Sequence, residues 1–380
     1  MKNSSILTPQ SIIMLVFFWA VVIVFQIYGS SLLSDLTPLK AILVFSLLLA
    51  TILAAAFAVV KQADKIAEIL GEPYGTLILT LCIVIIEVVL IVSMLLGTAE
   101  HPTIAKDSVF SIMMIIINLV IGVCLIIGGR KFGVVSYNSQ GTFTYLGMII
   151  TLGGIGMILP GFLDGKGGGE LTTVQAIGFA SITILVYGAF LFYQVTRYSY
   201  LYIQPTGNKM SLSFGHTSKV HGEAHQVVNK GEVLKRSVVL VFFILPIVLL
   251  AHNLGYVVDY GIEQMQLPVS LSGILIAIIV FTPESAAAIK AILNNEVQRA
   301  INLCHGAFVS TVGLTFPAVL IIGLIMDKQV ILGLSPTEII LFSITLLLSF
   351  FCFSGKRTSP IFGVLHLAVF AIYLLLVFNS

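Results

Sequence analysis

Eleven long apolar stretches recur along the chain, and they constrain its fold more than any other feature of the sequence. A helix needs about 20 residues, at a rise of 1.5 Å each, to cross the hydrocarbon core of a bilayer. The stretches run over residues 11–33, 39–60, 74–97, 105–128, 142–160, 173–196, 237–258, 267–293, 299–326, 335–354 and 360–378. A lipid-exposed backbone must satisfy its own hydrogen bonds, so these stretches should be helical. The sequence predicts an all-α membrane protein with about 11 transmembrane helices.

The composition argues against a soluble domain, which is the alternative for so apolar a chain. Of the 380 residues, 58% are hydrophobic and only 9% are charged. Ordinary soluble domains carry about 25% charged residues. The net charge of +2 gives no reason to expect a nucleic-acid partner. The expected surroundings are therefore the lipid bilayer, with no cofactor implied.

One long polar segment, residues 197–236, interrupts the apolar stretches. It divides the chain into a lead helix (1–38), a first five-helix repeat (39–196), this linker (197–236) and a second five-helix repeat (237–380). Three linker histidines either form a regulatory metal or pH site or belong to a solvated loop. These histidines are His216, His221 and His225.

The distribution of basic residues predicts the orientation. The N-terminus and every second loop after it hold 15 of the 19 lysines and arginines. The positive-inside rule then places the N-terminus and the linker in the cytoplasm and the C-terminus outside. Because each repeat has five helices, the second should insert upside down relative to the first. Inverted repeats of this kind are common in secondary transporters.

The sequence carries a weak internal repeat in support. An offset of 197 residues places Glu87 over Glu284, and an offset of 195 places Asp107 over Asn302. Glu87 and Glu284 are the only carboxylates deep within apolar stretches. Their coincidence under one offset favours duplicated five-helix units.

Glu87 lies in the middle of an apolar stretch with no basic residue within two helical turns. A carboxylate there costs about 2.5–3.5 kcal/mol on insertion scales, and such residues usually mark an ion or proton pathway. The alternative is a protonated glutamic acid that hydrogen-bonds between helices.

Glu284 follows Pro283 within the eighth stretch and precedes three alanines. Proline removes a backbone donor, so we expect a kink or break in the helix at Pro283. Carbonyl oxygens freed at such a break can coordinate a cation in transporters. The alternative is a kinked packing helix with an incidental glutamate.

Two carboxylates provide hard oxygen ligands with a combined charge of −2, which suits calcium, magnesium or sodium. Without a cation, the ionised pair would repel itself and resist desolvation, so protons should bind. Cation and protons would then compete for the same oxygens. Competition at an alternately exposed site is sufficient for antiport.

Further polar residues lie on the spans that directly follow the two glutamate spans. Asn118 and Ser310 are either neutral oxygen ligands or interhelical hydrogen-bonding residues. Asp107 and Asn302 lie near helix ends, where they could serve the ion path or cap a helix. His305 is either a proton relay or a buried core histidine.

Several motifs are similar to those of a known transporter family. The chain resembles the ChaA-type calcium/proton antiporters, a branch of the calcium/cation exchanger superfamily. The matching motifs are Gly71-Glu-Pro-Tyr-Gly-Thr-Leu-Ile-Leu-Thr80, Ile86-Glu87-Val88, Gly128-Gly-Arg-Lys-Phe132, Thr282-Pro-Glu284 and Asn294-Asn-Glu-Val-Gln-Arg-Ala-Ile-Asn302. The resemblance implies two inverted five-helix repeats in a prokaryotic cytoplasmic membrane. It also implies one site glutamate per repeat, Glu87 and Glu284, and exchange of calcium for protons.

The chain departs from the wider family at two places. Ile83-Val84 and Val280-Phe281 stand where the wider cation/proton exchangers have a Gly-Asn pair before each glutamate, and the 197–236 linker is net basic. Sodium or potassium therefore remains the alternative cargo at the same site. Remoter alternatives are a cation channel, a non-transporting membrane scaffold and an intramembrane hydrolase. The sequence contains no His-Glu-x-x-His or Gly-x-Ser-x-Gly motif, which argues against the hydrolase.

Overall fold

The structure of the chain is a computed structural model that describes residues 8–70, 74–97, 101–163, 168–203 and 230–379. Within these ranges the chain forms eleven long helices. They are α1 Pro9–Ser34, α2 Pro38–Leu70, α3 Tyr74–Leu95, α4 Ile104–Phe132, α5 Ser139–Phe162, α6 Thr173–Val195, α7 Lys230–Met265, α8 Ser270–Leu293, α9 Val297–Ile325, α10 Pro336–Phe353 and α11 Pro360–Val377.

Length and composition make most of these helices suitable to cross a membrane. In the described part of the chain, 10 qualify fully, and α3 has a shorter apolar part, Thr80–Leu95. All 22 residues of α3 together still measure about 33 Å, which matches the bilayer core. The prediction of an all-α membrane protein with about eleven helices is confirmed.

Local sequence signals set where several helices begin. Thr172 and Gln175 form a capping box at the start of α6, and Ser335 and Glu338 form another at the start of α10. Each box satisfies backbone N–H groups that the first helical turn leaves unpaired. Pro336 stands at the first position of α10, where its missing donor costs nothing.

Two helices are much longer than the sequence predicted. The apolar stretches 39–60 and 237–258 lie within α2 and α7, which have 33 and 36 residues. At about 1.5 Å per residue both exceed a hydrocarbon core of about 30 Å. The α7 helix begins inside the predicted linker, where Arg236 donates to Glu232 one turn earlier, at 2.8 and 3.0 Å. Such a pair stabilises helix beyond the apolar stretch. Residues 204–229, with the three linker histidines, lie outside the described residues.

Contacts between loops display the two-fold relation of the repeats. A short strand after α4, β1 (Val135–Ser136), pairs antiparallel with β2 (Arg357–Thr358), which lies between α10 and α11. The corresponding contact of the other repeat is a bridge between Glu170, before α6, and Ile331, between α9 and α10. Helices α2 and α7, the first of each repeat, also pack against each other. The helices thus follow the predicted inverted arrangement.

Corresponding helices of the two repeats are similarly buried. In the most apolar part of each helix, 78% of the residues of α4 and 67% of those of α9 are buried, compared with 28% in α1, α6 and α11. Both α4 and α9 contain a π-helical turn, Met114–Val120 and Thr311–Thr315, at corresponding places in the two repeats. Such wide turns often occur at functional sites. Helices α4 and α9 therefore form the centre of the bundle, beside α3 and α8.

Candidate functional site

Glu87 lies on α3 at the centre of the bundle and is fully buried. Its Oε2 accepts hydrogen bonds from the hydroxyls of Thr311, at 3.0 Å, and Thr315, at 2.7 Å. Its Oε1 has no hydrogen-bond partner among the described residues. One oxygen of Glu87 is thus held in place, and the other is left for a ligand or a proton.

The two threonines reach Glu87 because of the local geometry of α9. They occupy the ends of the π-helical turn Thr311–Thr315, four residues apart, and the turn packs against α3. A spacing of four residues places both hydroxyls on the same side of the helix. The two hydroxyls come from the second repeat, so the first repeat's glutamate is positioned by the second repeat.

Glu284 lies on α8, and both its carboxylate oxygens are buried without a hydrogen-bond partner in the described part of the chain. Glu87 is close enough to interact with it electrostatically. A buried ionised carboxylate with no partner is very costly, so this group requires a counter-charge or a proton. The structure thus buries both sequence-predicted glutamates on two helices that pack against each other, α3 and α8.

Of the kink or break expected at Pro283, the break is wrong, because α8 runs as one helix from Ser270 to Leu293 with the proline inside it. The kink stays a prediction. The flanking hydroxyls of Thr282 and Ser285 donate to the carbonyl oxygens of Ile278 and Phe281. Neither bond reaches the carbonyl of Ile279, which the missing N–H of Pro283 leaves without its helical donor. Packing against neighbouring helices allows proline within a transmembrane helix. Among the described residues, departures from α-helical geometry occur instead in α4, α5 and α9.

The turn Met114–Val120 of α4 packs against α8 but offers a different chemistry. Asn118 is its one polar side chain. The amide nitrogen of Asn118 donates to Thr345 Oγ1 at 2.9 Å, and its oxygen lies 2.9 Å from His366 Nδ1. Asn118 therefore links α4 to α10 and α11. Its role as a cation ligand stays a prediction.

The other predicted secondary residues also have local partners. Ser310 donates to the carbonyl of Ala307 at 2.8 Å, and His305 Nδ1 lies 3.1 Å from the carbonyl of Ile301. Asn302 donates to the carbonyl of Tyr202 at 2.7 Å. His305, fully buried, fits its alternative of a core histidine. Ser310 bonds within α9 and not between helices, and Asn302 does not cap α9, whose N-cap is Glu296. A part in the ion path stays a prediction for each.

Asp107 lies away from the glutamate pair, at one end of the bundle. Its carboxylate accepts from Thr103 at 2.7 Å and lies 3.4 Å from the ammonium of Lys106. It lines a cavity of about 600 Å³ between the ends of four helices. Asp107 is thus in contact with a basic partner at a mouth of the bundle.

Sequence reasoning missed two groups near the pair. Thr311 and Thr315 could have been found as two hydroxyls four residues apart within an apolar span. Asp64, in the extension of α2, also lies within electrostatic range of Glu284. Nothing in the sequence distinguished Asp64, because polar residues are common at the ends of membrane-spanning helices.

Comparison with known proteins gives the family of this chain. The family described as sodium/calcium exchanger protein matches residues 40–196 and again 236–379, more than half of the chain. The chain is 32% identical over 378 residues to the sodium-potassium/proton antiporter ChaA of Escherichia coli (strain K12), covering 99% of this chain and 96% of the relative.

Two solved structures share the fold. That of native YfkE has a TM-score of 0.72 at 17% identity and covers 97% of this chain and 100% of that chain. That of the H+/Ca2+ exchanger CAX has a TM-score of 0.64 at 14% identity, with coverage of 97% and 89%. The family match over both repeats and the full-length relative identify this chain as a member of the sodium/calcium exchanger protein family, a family of cation-exchanging membrane transporters.

Proposed function

We propose that this protein exchanges a cation for protons by alternating access, with Glu87 and Glu284 as the shared binding groups. The observation that carries the proposal is the buried pair itself, one glutamate from each repeat, with three of its four oxygens free of hydrogen bonds among the described residues. Buried carboxylates in this condition are stable only when a cation or protons neutralise them.

The exchange follows from charge compensation. A bound cation neutralises the ionised pair, and its departure leaves two carboxylates that repel each other and take up protons. Either loaded form can be carried through the low-dielectric interior more readily than the empty, ionised form. The two cargoes therefore exclude each other at one site, and each must be released before the other is carried back.

Calcium is the cargo that charge balance favours. Two ionised glutamates balance one divalent cation, and calcium accepts irregular shells of six to eight oxygens. The free oxygens of Glu87 and Glu284 and the hydroxyls of Thr311 and Thr315 belong to the hard-ligand class that calcium prefers. Backbone carbonyls would complete the shell.

Sodium or potassium is the second candidate, supported by the similarity to ChaA, a sodium-potassium/proton antiporter. A monovalent ion leaves one negative charge on the pair, which a proton retained on one glutamate would balance. Glu284 suits that role because neither of its oxygens is tied by a hydrogen bond in the described structure.

The test uses purified protein in vesicles with an imposed pH gradient. Calcium, sodium and potassium are added separately, and proton release from the lumen is measured. We expect release on addition of calcium. Release on addition of sodium or potassium, with none on addition of calcium across the millimolar range, would contradict calcium as the cargo but not the antiport mechanism. No release with any of the three ions would contradict antiport.

A further inference from the structure

A cavity of about 600 Å³ opens at one end of the bundle, between the first turns of α4, α8 and α10 and the last turns of α11. The orientation predicted from the basic residues places this end outside. Its lining mixes carboxylates and hydroxyls, among them Asp107, Ser111, Ser270 and Glu338. Apolar side chains make up much of the remaining lining, so the polar groups are concentrated around Asp107 and Glu338.

A single ammonium group lies between the two carboxylates of this cavity. Lys106 Nζ is 3.2 Å from Glu338 Oε2 and 3.4 Å from Asp107 Oδ1. The Lys106 side chain is only 13% exposed, and those of Asp107 and Glu338 are 9% and 20% exposed. The lysine charge is therefore held at a defined place by two acidic groups, with little competition from water.

The two carboxylates are positioned by bonds that do not involve the lysine. Asp107 Oδ2 accepts from the Thr103 hydroxyl at 2.7 Å. Glu338 Oε2 accepts from the backbone N–H of Ser335 at 2.7 Å, as part of the capping box of α10. Neither of these bonds depends on Lys106, and each carboxylate has an oxygen within 3.4 Å of the one ammonium between them.

Aromatic and hydroxyl side chains of α4 and α11 form part of the cavity lining. Phe110 packs edge-on against Tyr373 at 5.7 Å between ring centroids, and the Tyr373 hydroxyl lies 2.8 Å from Ser111 Oγ. Close to their first turns, α4 and α8 touch backbone to backbone, because a Cβ on Gly273 would stand 2.7 Å from Ser108 N. The wall of the cavity between these two helices is thus closely packed.

We propose that Lys106 is a specificity-determining residue of this mouth: its ammonium is a tethered cation that occupies, between Asp107 and Glu338, a place where a free divalent cation would otherwise bind. With the lysine present the three groups carry a net charge of −1, which attracts cations without trapping a divalent ion. Without it, two positioned carboxylates and the neighbouring hydroxyls form a divalent site. This role rests on the proposed function for its biological meaning, but the binding site itself can be measured without transport.

The experiment measures binding of Mn²⁺ to purified full-length protein by electron paramagnetic resonance. All variants carry Glu87→Gln and Glu284→Gln, so that the central pair contributes no charge. We expect Lys106→Met to bind one Mn²⁺ per chain at least about thirty-fold more tightly than the parent, because a unit positive charge is removed from beside a divalent ion. Lys106→Gln serves as a second, equally uncharged variant.

Matched variants separate a local site from a change in total charge. Lys328→Met removes an exposed lysine near the same end of the bundle and should leave Mn²⁺ binding unchanged. Lys106→Arg keeps the charge and should also bind as the parent does. Adding Glu338→Gln to Lys106→Met should abolish the gained binding.

Equal Mn²⁺ binding by Lys106→Met, Lys106→Gln and Lys328→Met, all folded by size-exclusion chromatography, would overturn the proposal. Failure of the proposed antiport would appear separately, as absence of proton release in vesicles of the unmutated protein. The two results are independent, because the binding measurement requires neither a membrane gradient nor the central glutamates.

Discussion

Glu87 and Glu284 occupy corresponding places in the two repeats, but their surroundings differ. Two threonine hydroxyls hold one oxygen of Glu87, whereas neither oxygen of Glu284 has a partner in the described structure. The difference arises in the π-helical turns, since that of α9 carries threonine at both ends and that of α4 carries methionine and valine. Pseudo-symmetry thus brings two carboxylates together without making them equivalent.

This asymmetry suggests different tasks for the two groups. A side chain held by hydrogen bonds retains its geometry while its ligand changes, which suits Glu87 to anchor the cation. Glu284, with both oxygens unpaired among the described residues, is free to change partners or to carry a proton. Exchange would then require both glutamates, and the threonines would act on affinity through Glu87.

The largest expected effect is loss of exchange in Glu87→Gln and in Glu284→Gln separately. Glutamine keeps the size of the side chain but neither titrates nor carries charge. Cation-driven proton release in vesicles should fall to the level of protein-free vesicles for each variant, with normal insertion and folding. Near-normal exchange in either variant would show that this glutamate is not a binding group, and the proposed division of tasks between the two glutamates would be wrong.

The inverted orientation of the two repeats can be tested by labelling cysteines from each side of the membrane. Because basic residues lie mainly on one side, we expect the 197–236 linker to be cytoplasmic and Ser380 to be outside. Single cysteines at Ser213 and Ser380 can be labelled from each side, since the four native cysteines are buried. Labelling of both from one side would contradict the inverted repeat.

A smaller effect should follow loss of the threonine hydroxyls. The double variant Thr311→Val and Thr315→Val removes both bonds to Glu87 at nearly constant volume. Hydrogen bonds to charged groups are worth about 1.5–3 kcal/mol, so the apparent cation affinity should fall by about tenfold or more. Thr345→Val, which removes a buried hydroxyl bonded to Asn118 instead, is the control. Equal affinities in the two variants would show that Glu87 needs no anchoring.

The smallest effect on transport is expected for Asn118→Ala. This change leaves Thr345 and His366 without their partner, so stability should fall by about 1–3 kcal/mol, measured as a lower unfolding midpoint in detergent. Cation affinity should stay at the wild-type value. A fall in affinity comparable to that of the threonine variant would instead make Asn118 a ligand, and the surroundings of the two glutamates would be more alike.

Several features could be read from the sequence because they depend on local composition. Apolar runs of bilayer length indicated the helices, and an acidic residue amid each of two such runs identified Glu87 and Glu284. The prediction of a break at Pro283 was local as well, but it omitted the neighbouring helices that pack against a continuous α8. A helix broken in isolation can therefore remain whole in the bundle.

The sequence by itself determined the class of protein, the approximate number and position of its helices, and the two central carboxylates. Only the tertiary structure decided which groups those carboxylates meet. Thr311 is 224 residues from Glu87 in the chain, and Lys106 is 232 residues from Glu338. Insertion into a membrane depends on the apolar content of one segment at a time. Hydrogen bonds and ion pairs depend instead on how helices from both repeats pack, which no single segment specifies.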